Sequence, residues 1–133
     1  MPPRGWETIV LVEDSDSLRA IARETLEGHG YRVIDASGGP EAIEAARRYA
    51  APIQLLLTDV VMPGMNGREL AESMVATRPG MRVLFMSGYP DEVITHSGVL
   101  EEATLLIEKP FTTRVLLGRV RDVLSDPGRP SPA

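Results

Sequence analysis

Short apolar runs that alternate with amphipathic stretches constrain this chain more than any other feature. Ile9–Val12, Tyr31–Asp35, Gln54–Thr58, Arg82–Met86 and Thr104–Ile107 read as strands. Between them lie helical patterns. Leu18, Ile21, Ala22, Thr25 and Leu26 recur at helical spacing before Gly28 and Gly30, and a helix over Glu41–Tyr49 presents Ala42, Ala45, Ala46 and Tyr49 before Pro52. A Pro63-Gly64 turn leads to a helix carrying Leu70, Met74 and Val75, closed by Pro79-Gly80. Asp91–Ser97 is a short helix candidate, and Thr113–Leu124 is the last helix, with Leu116, Val120 and Val123 inward. Strands that are apolar throughout and separated by helices imply an α/β fold, a parallel sheet covered on both faces. Right-handed crossovers leave a few doubly wound topologies.

In such sheets the functional crevice lies beyond the carboxyl ends of the strands, where strand order reverses. Glu13 and Asp14 follow the first strand, Asp59 the third, Ser87 the fourth, and Lys109-Pro110 the fifth. In the order 2-1-3-4-5, the first and third strands are neighbours at the switch point. Taken alone, each residue has a bland reading. Asp14 or Ser15 can cap a helix, Asp59 can open a turn, Ser87-Gly88 can be a plain turn, and Lys109 a solvated lysine. Together they set acids, a hydroxyl and an ammonium on one rim.

Three adjacent carboxylates repel one another, and a hard divalent cation such as Mg²⁺ relieves the conflict through oxygen ligands. A carboxylate is also a nucleophile toward phosphorus, and phosphoryl transfer needs mainly alignment and charge neutralisation. Lys109 supplies positive charge, and Ser87 a hydrogen-bond donor for a phosphoryl oxygen. Lys109-Pro110 is a candidate cis peptide that would aim the lysine inward.

These segments resemble the receiver domain of bacterial response regulators. The resemblance rests on IVLVEDSDSLR, LLLTDVVMPGMNGRELA, VLFMSGYPDE and LLIEKPF, in the family's order and spacing. It implies a flavodoxin-like five-stranded parallel sheet of order 2-1-3-4-5 with helices on both faces. By position, Asp59 matches the phosphorylated aspartate, Glu13 and Asp14 the acidic metal pair, and the Val61 main-chain carbonyl a further Mg²⁺ ligand. Ser87 matches the switch hydroxyl and Lys109 the family's lysine. Leu106 stands where many stand-alone regulators carry Tyr or Phe, so no ring rotates there. SGYP and EKPF are similar to receivers of hybrid histidine kinases. The implied partners are a histidine kinase or a histidine phosphotransfer domain, with a homodimer through the last helix region as a further expectation.

Other classes fit less well. An aspartate-dependent phosphohydrolase resembles a D-x-D pattern, but Val60 and Val61 follow Asp59. A dinucleotide-binding turn would be Gly-rich where Glu13-Asp14-Ser15-Asp16 stands. A degenerate, purely binding receiver would lack Asp59 or Lys109. His29 and His96 read as surface residues. Net charge is −5 without a basic stripe, which argues against direct nucleic-acid binding. The apolar runs are too short to span a bilayer, so no membrane contact is expected. The absence of cysteine fits a cytoplasmic location. The receiver domain is expected over residues 8–124, after a leader at 1–7 and before a disordered, Pro-rich tail at 125–133.

Overall fold

The computed structural model describes residues 5–88 and 106–125. The helix expected at Asp91–Ser97, Thr104 at the start of the fifth strand, and the tail beyond Ser125 lie outside the described residues. Five strands form one parallel sheet: β1 (Thr8–Val12), β2 (Arg32–Ala36), β3 (Leu55–Asp59), β4 (Arg82–Ser87) and β5 (Leu106–Glu108). Their order is β2-β1-β3-β4-β5. Among the described residues the helices are α1 (Asp16–Glu27), α2 (Gly39–Arg48), α3 (Gly67–Thr77) and α4 (Thr113–Ser125). None of them is long and apolar enough to cross a membrane.

The strand periodicity of two sorts the core into two layers. Val10, Val12, Leu56, Val83 and Phe85 meet Ala42, Ala46, Leu70, Met74 and Val75 of α2 and α3. Ile9, Leu11, Leu55, Leu57, Leu84, Met86 and Ile107 meet Ala22 and Leu26 of α1 and Leu116, Leu117, Val120 and Val123 of α4. Each fully buried leucine stabilises the fold by about 1.5–3 kcal/mol. The leucine triplet of β3 is therefore used on both faces.

Local chemistry sets the helix ends. Ser15 caps α1 by accepting from the Leu18 backbone N–H. Asn66 and Glu69 form a reciprocal capping box at α3. Pro40 sits in the first turn of α2, where its missing N–H is harmless. Arg78 extends from the end of α3 to the carbonyls of Ala46, Tyr49 and Ala51, tying α2 and the following loop to α3.

Several sequence expectations need correction. Leu18 and Ile21 are 43% and 58% exposed rather than core residues. The first turn of α1 lies beside polar groups at the strand ends, and Arg19 makes its inward contacts there. Ala45 is only half-buried, because the α2 face turns toward Ala42 and Ala46. Glu7, assigned to the leader, is buried and paired with Arg121. Ser125, assigned to the tail, ends α4 and accepts from Arg121 Nε at 2.7 Å.

Candidate functional site

Parallel register brings the chemistry together at the carboxyl edge. Val12 pairs with Thr58 across β1 and β3, and Asp59 pairs with Met86 across β3 and β4. Asp59 and Ser87 are the last residues of their strands, one position further in than the sequence pattern suggests. Both are buried, as is Glu13 directly after β1. Lys109 follows β5, its backbone N–H donates to the Ser87 carbonyl at 2.8 Å, and its peptide bond to Pro110 is cis.

One carboxylate oxygen from each of Glu13, Asp14 and Asp59 lies within 4.8 Å of the others. Lys109 Nζ stands 2.8 Å from Glu13 Oε1 and 2.7 Å from Asp59 Oδ1. The contact to Glu13 is an aligned hydrogen bond. The contact to Asp59 is an ion pair only, and both Asp59 carboxylate oxygens remain buried without a hydrogen-bond partner. Such unsatisfied, 4%-exposed oxygens call for a cation. The donor set, all hard oxygen, fits Mg²⁺. Asp14 is exposed, with Ser15 rather than Asp14 serving as the cap, so its carboxylate is not committed to the helix terminus.

The electrostatics follow from this packing. Burial, reinforced by the Glu13 carboxylate, pushes Asp59 up to about 8 against the pull of Lys109. For Glu13, burial acts upward but is outweighed by its close neighbour Asp59, the Lys109 ammonium and the Ser15 backbone N–H, and its pKa is lowered. Burial works against the Lys109 ammonium, yet its two carboxylate partners raise its pKa.

The remaining residues singled out by the sequence lie around this centre. Val61 is exposed in the loop two residues beyond Asp59. Leu106 is half-buried, pairs with Phe85, and packs on the layer under α2 and α3, away from the carboxylates. His29 is half-buried in a helix-end turn, with Nδ1 3.0 Å from the Thr25 carbonyl. His96 lies outside the described residues.

Other supporting groups carry no sequence signature. Arg19 Nη1 donates to the Glu13 carbonyl at 2.8 Å, and Arg19 also pairs with Asp35 at the end of β2. Thr58, buried beside the site, donates to the Asp59 carbonyl at 3.1 Å. Gly67 lets α3 approach closely, since a Cβ there would overlap the Asp59 carbonyl. Glycine at the start of a helix reads simply as the residue after a cap, so this role was not legible.

Known proteins share this fold. The family model described as "Response regulator receiver domain" matches residues 9–121. The chain is 31% identical over 120 residues to sensor kinase CckA of Brucella abortus, covering 90% of this chain but 13% of that protein. It is 32% identical over 116 residues to the response regulator receiver protein CpdR of Brucella abortus, covering 87% of this chain and 95% of that one. Among solved structures, the receiver domain of hybrid histidine kinase CckA aligns with a TM-score of 0.75 at 33% identity, covering 89% and 99% of the two chains. Vibrio cholerae chemotaxis protein CheY4 aligns with a TM-score of 0.75 at 28% identity, covering 90% and 100%. With its sheet order, its strand-end acids and these matches in agreement, the chain belongs to the response regulator receiver domains of two-component signalling.

Proposed function

We propose that Asp59 accepts a phosphoryl group from a phosphohistidine kinase or a histidine phosphotransfer domain, and that residues 8–124 carry this activity with Glu7 and Ser125 as flanking contacts. The observation that carries the reading is the buried Asp59 carboxylate, without a hydrogen-bond partner and 2.7 Å from Lys109 Nζ. An Asp59 oxygen lone pair forms the new O–P bond as the P–N bond to the donor imidazole breaks. The bonding pair stays on the imidazole nitrogen, which takes up a proton. Lys109 neutralises charge on the phosphoryl oxygens and Ser87 donates to one of them. Mg²⁺, when bound by Glu13, Asp14, Asp59 and the Val61 carbonyl, would supply further positive charge there.

The match to a CckA kinase makes a place within a hybrid histidine kinase one setting for this domain; the match to CpdR makes a stand-alone regulator another. Both settings require a protein partner to read the phosphorylated state.

Incubation with radiolabelled acetyl phosphate and Mg²⁺ tests the assignment. Wild-type protein is expected to acquire base-labile label, and Asp59→Asn to acquire less than a hundredth as much. Undiminished labelling of Asp59→Asn would refute it. The switch reading has its own check, in amide NMR spectra with and without beryllofluoride. Shifts are expected at Ser87 and, more weakly, around Leu106, because leucine has no hydroxyl or ring to reorient. Spectra that change only beside Asp59 would reduce the chain to a phosphoryl store or relay.

A further inference from the structure

An arginine in the first turns of a surface helix usually extends its charge into solvent, and its ion pairs there are of small worth. Arg19 of α1 does not follow that pattern. Its side chain is 18% exposed, and each nitrogen of its fork meets a separate acceptor. Nη1 donates to the Glu13 main-chain carbonyl at 2.8 Å, Nη2 to Asp16 Oδ1 at 2.7 Å, and Nε lies 3.3 Å from Asp35 Oδ2. Asp35 is itself braced, its Oδ1 accepting from Arg23 Nη1 at 2.6 Å. The pair with exposed Asp16 is a surface contact. The bond to Glu13 is of another kind, because its acceptor is the backbone of the acidic loop.

The Glu13 carbonyl belongs to the peptide unit that joins Glu13 to Asp14. That unit is planar, so an anchor on its oxygen fixes its tilt and thereby the placement of the Asp14 Cα. On the other side of Glu13, the main-chain N–H donates to the Ala36 carbonyl at 3.2 Å. Asp35 and Ala36, at the end of β2, thus hold the main chain on both sides of Glu13, one through Arg19 and the other directly. Asp14 depends most on this. It faces solvent, and Ser15 caps α1 in its place, yet one of its carboxylate oxygens lies within 4.8 Å of those of Glu13 and Asp59. The backbone that carries it holds it there against the repulsion of two other acids.

From these contacts we infer that Arg19, held by Asp35, is a positioning residue for the cation site, fixing the Glu13–Asp14 peptide so that Asp14 meets the ion without reordering the loop. Arg19 touches neither the ion nor the phosphoryl group. This deepens the phosphoacceptor reading and rests on the cation site within it. A purely electrostatic role has the opposite sign, since removing a positive charge beside a cation site strengthens binding. A role in fold stability alone leaves the affinity where it was.

Mg²⁺ affinity measured by calorimetry separates these roles in wild type, Arg19→Met, Arg19→Lys, Asp35→Asn and the double variant Arg19→Met with Asp35→Asn. Arg19→Met is expected to weaken Mg²⁺ binding about tenfold, the lower end of what loss of a ligand-supporting contact costs. Arg19→Lys keeps the charge but cannot reach the carbonyl and both carboxylates together, so it should recover only part of that loss. Asp35→Asn is expected to weaken binding about threefold alone and to add nothing to Arg19→Met, because both act through one guanidinium. It also keeps the test decisive should Arg19→Met fail to fold. In metal-free protein, ¹⁵N relaxation should show the Asp14 amide rigid in wild type and mobile in Arg19→Met. Labelling of Arg19→Met by acetyl phosphate should lag most at low Mg²⁺ and approach wild type as Mg²⁺ is raised. Unchanged or tighter Mg²⁺ binding in Arg19→Met and Asp35→Asn, or full additivity of the two changes, would overturn the inference, as would a wild-type chain that binds no Mg²⁺. A wild-type chain that binds Mg²⁺ but takes no label would instead defeat the phosphoacceptor reading, while the affinity series still decides the role of Arg19.

Discussion

Arg121→Ala is expected to destabilise the fold by about 3–5 kcal/mol at neutral pH, the loss found when one member of a buried ion pair is stranded. The Arg121 guanidinium grips Glu7 with both arms, Nη2 at 2.6 Å from Oε2 and Nη1 at 3.1 Å from Oε1. It also donates to the Tyr31 hydroxyl at 3.3 Å and to Ser125. The Glu7 carboxylate is 6% exposed, so truncation leaves a desolvated negative charge with the Trp6 backbone N–H still donating to it at 3.1 Å. The pair also joins the entry to β1 with the last turns of α4 across 114 residues, so its loss should loosen both ends of the domain. Burial acts to raise the Glu7 pKa, but the Arg121 hydrogen bond and charge, with backbone donors, bring it below 4.5. A depressed folded pKa means that the contribution is complete above the unfolded value near 4.5 and fades as pH falls through the folded value. Urea melts of wild type and Arg121→Ala at pH 7 and about pH 3 are the measurement. The gap between the proteins should narrow in acid. A gap below about 1 kcal/mol at pH 7 would mean that the pair behaves as a solvent-screened surface contact.

The second large effect concerns Asp59 in metal-free buffer. Its folded pKa, about 8, lies far above the unfolded value of 3.8, so the folded state binds the proton more tightly. Stability on this account is greatest below pH 4, falls as pH rises, and levels off above pH 8. Asp59→Asn removes the titrating group. It is therefore expected to be more stable than wild type at pH 8 by about 2 kcal/mol, allowing for relaxation around the site. A rise of several degrees in Tm corresponds to that difference for a domain of this size. Millimolar Mg²⁺ should stabilise wild type and close much of the gap, because the cation favours ionised Asp59 and binds only the folded arrangement. It should stabilise Asp59→Asn much less. The same linkage bears on the proposed chemistry, since the nucleophile must be ionised and burial alone opposes this. Thermal melts of both proteins from pH 5 to 9, with and without Mg²⁺, decide the matter. A wild-type stability that is flat across that range, or a mutant less stable than wild type at pH 8, would contradict the electrostatic account.

The amino-acid order alone determined the class of fold and the rim that carries the site. Apolar runs such as Leu55–Leu57 can be satisfied only by burial on both faces, and glycine and proline mark where the chain must turn. Acids, a hydroxyl and a lysine at the ends of those runs then had to gather on one edge, because parallel strands point the same way. The tertiary structure decided how the local pattern was used. Leu18 and Ile21 have the spacing of core residues, yet the first turn of α1 borders a polar edge and leaves them in solvent. Asp59 and Ser87 lie within strands because backbone pairing with the neighbouring strand, rather than side-chain polarity, sets where a strand ends. Glu7 reads as part of a polar leader until Arg121 arrives from the far end of the chain. The same holds for Glu13 and Lys109, which follow β1 and β5 and meet at 2.8 Å only through the closed sheet. Periodicity reports which residues seek burial, a property each carries locally. Pairing between distant charges depends on distances that exist only once the sheet has closed around them.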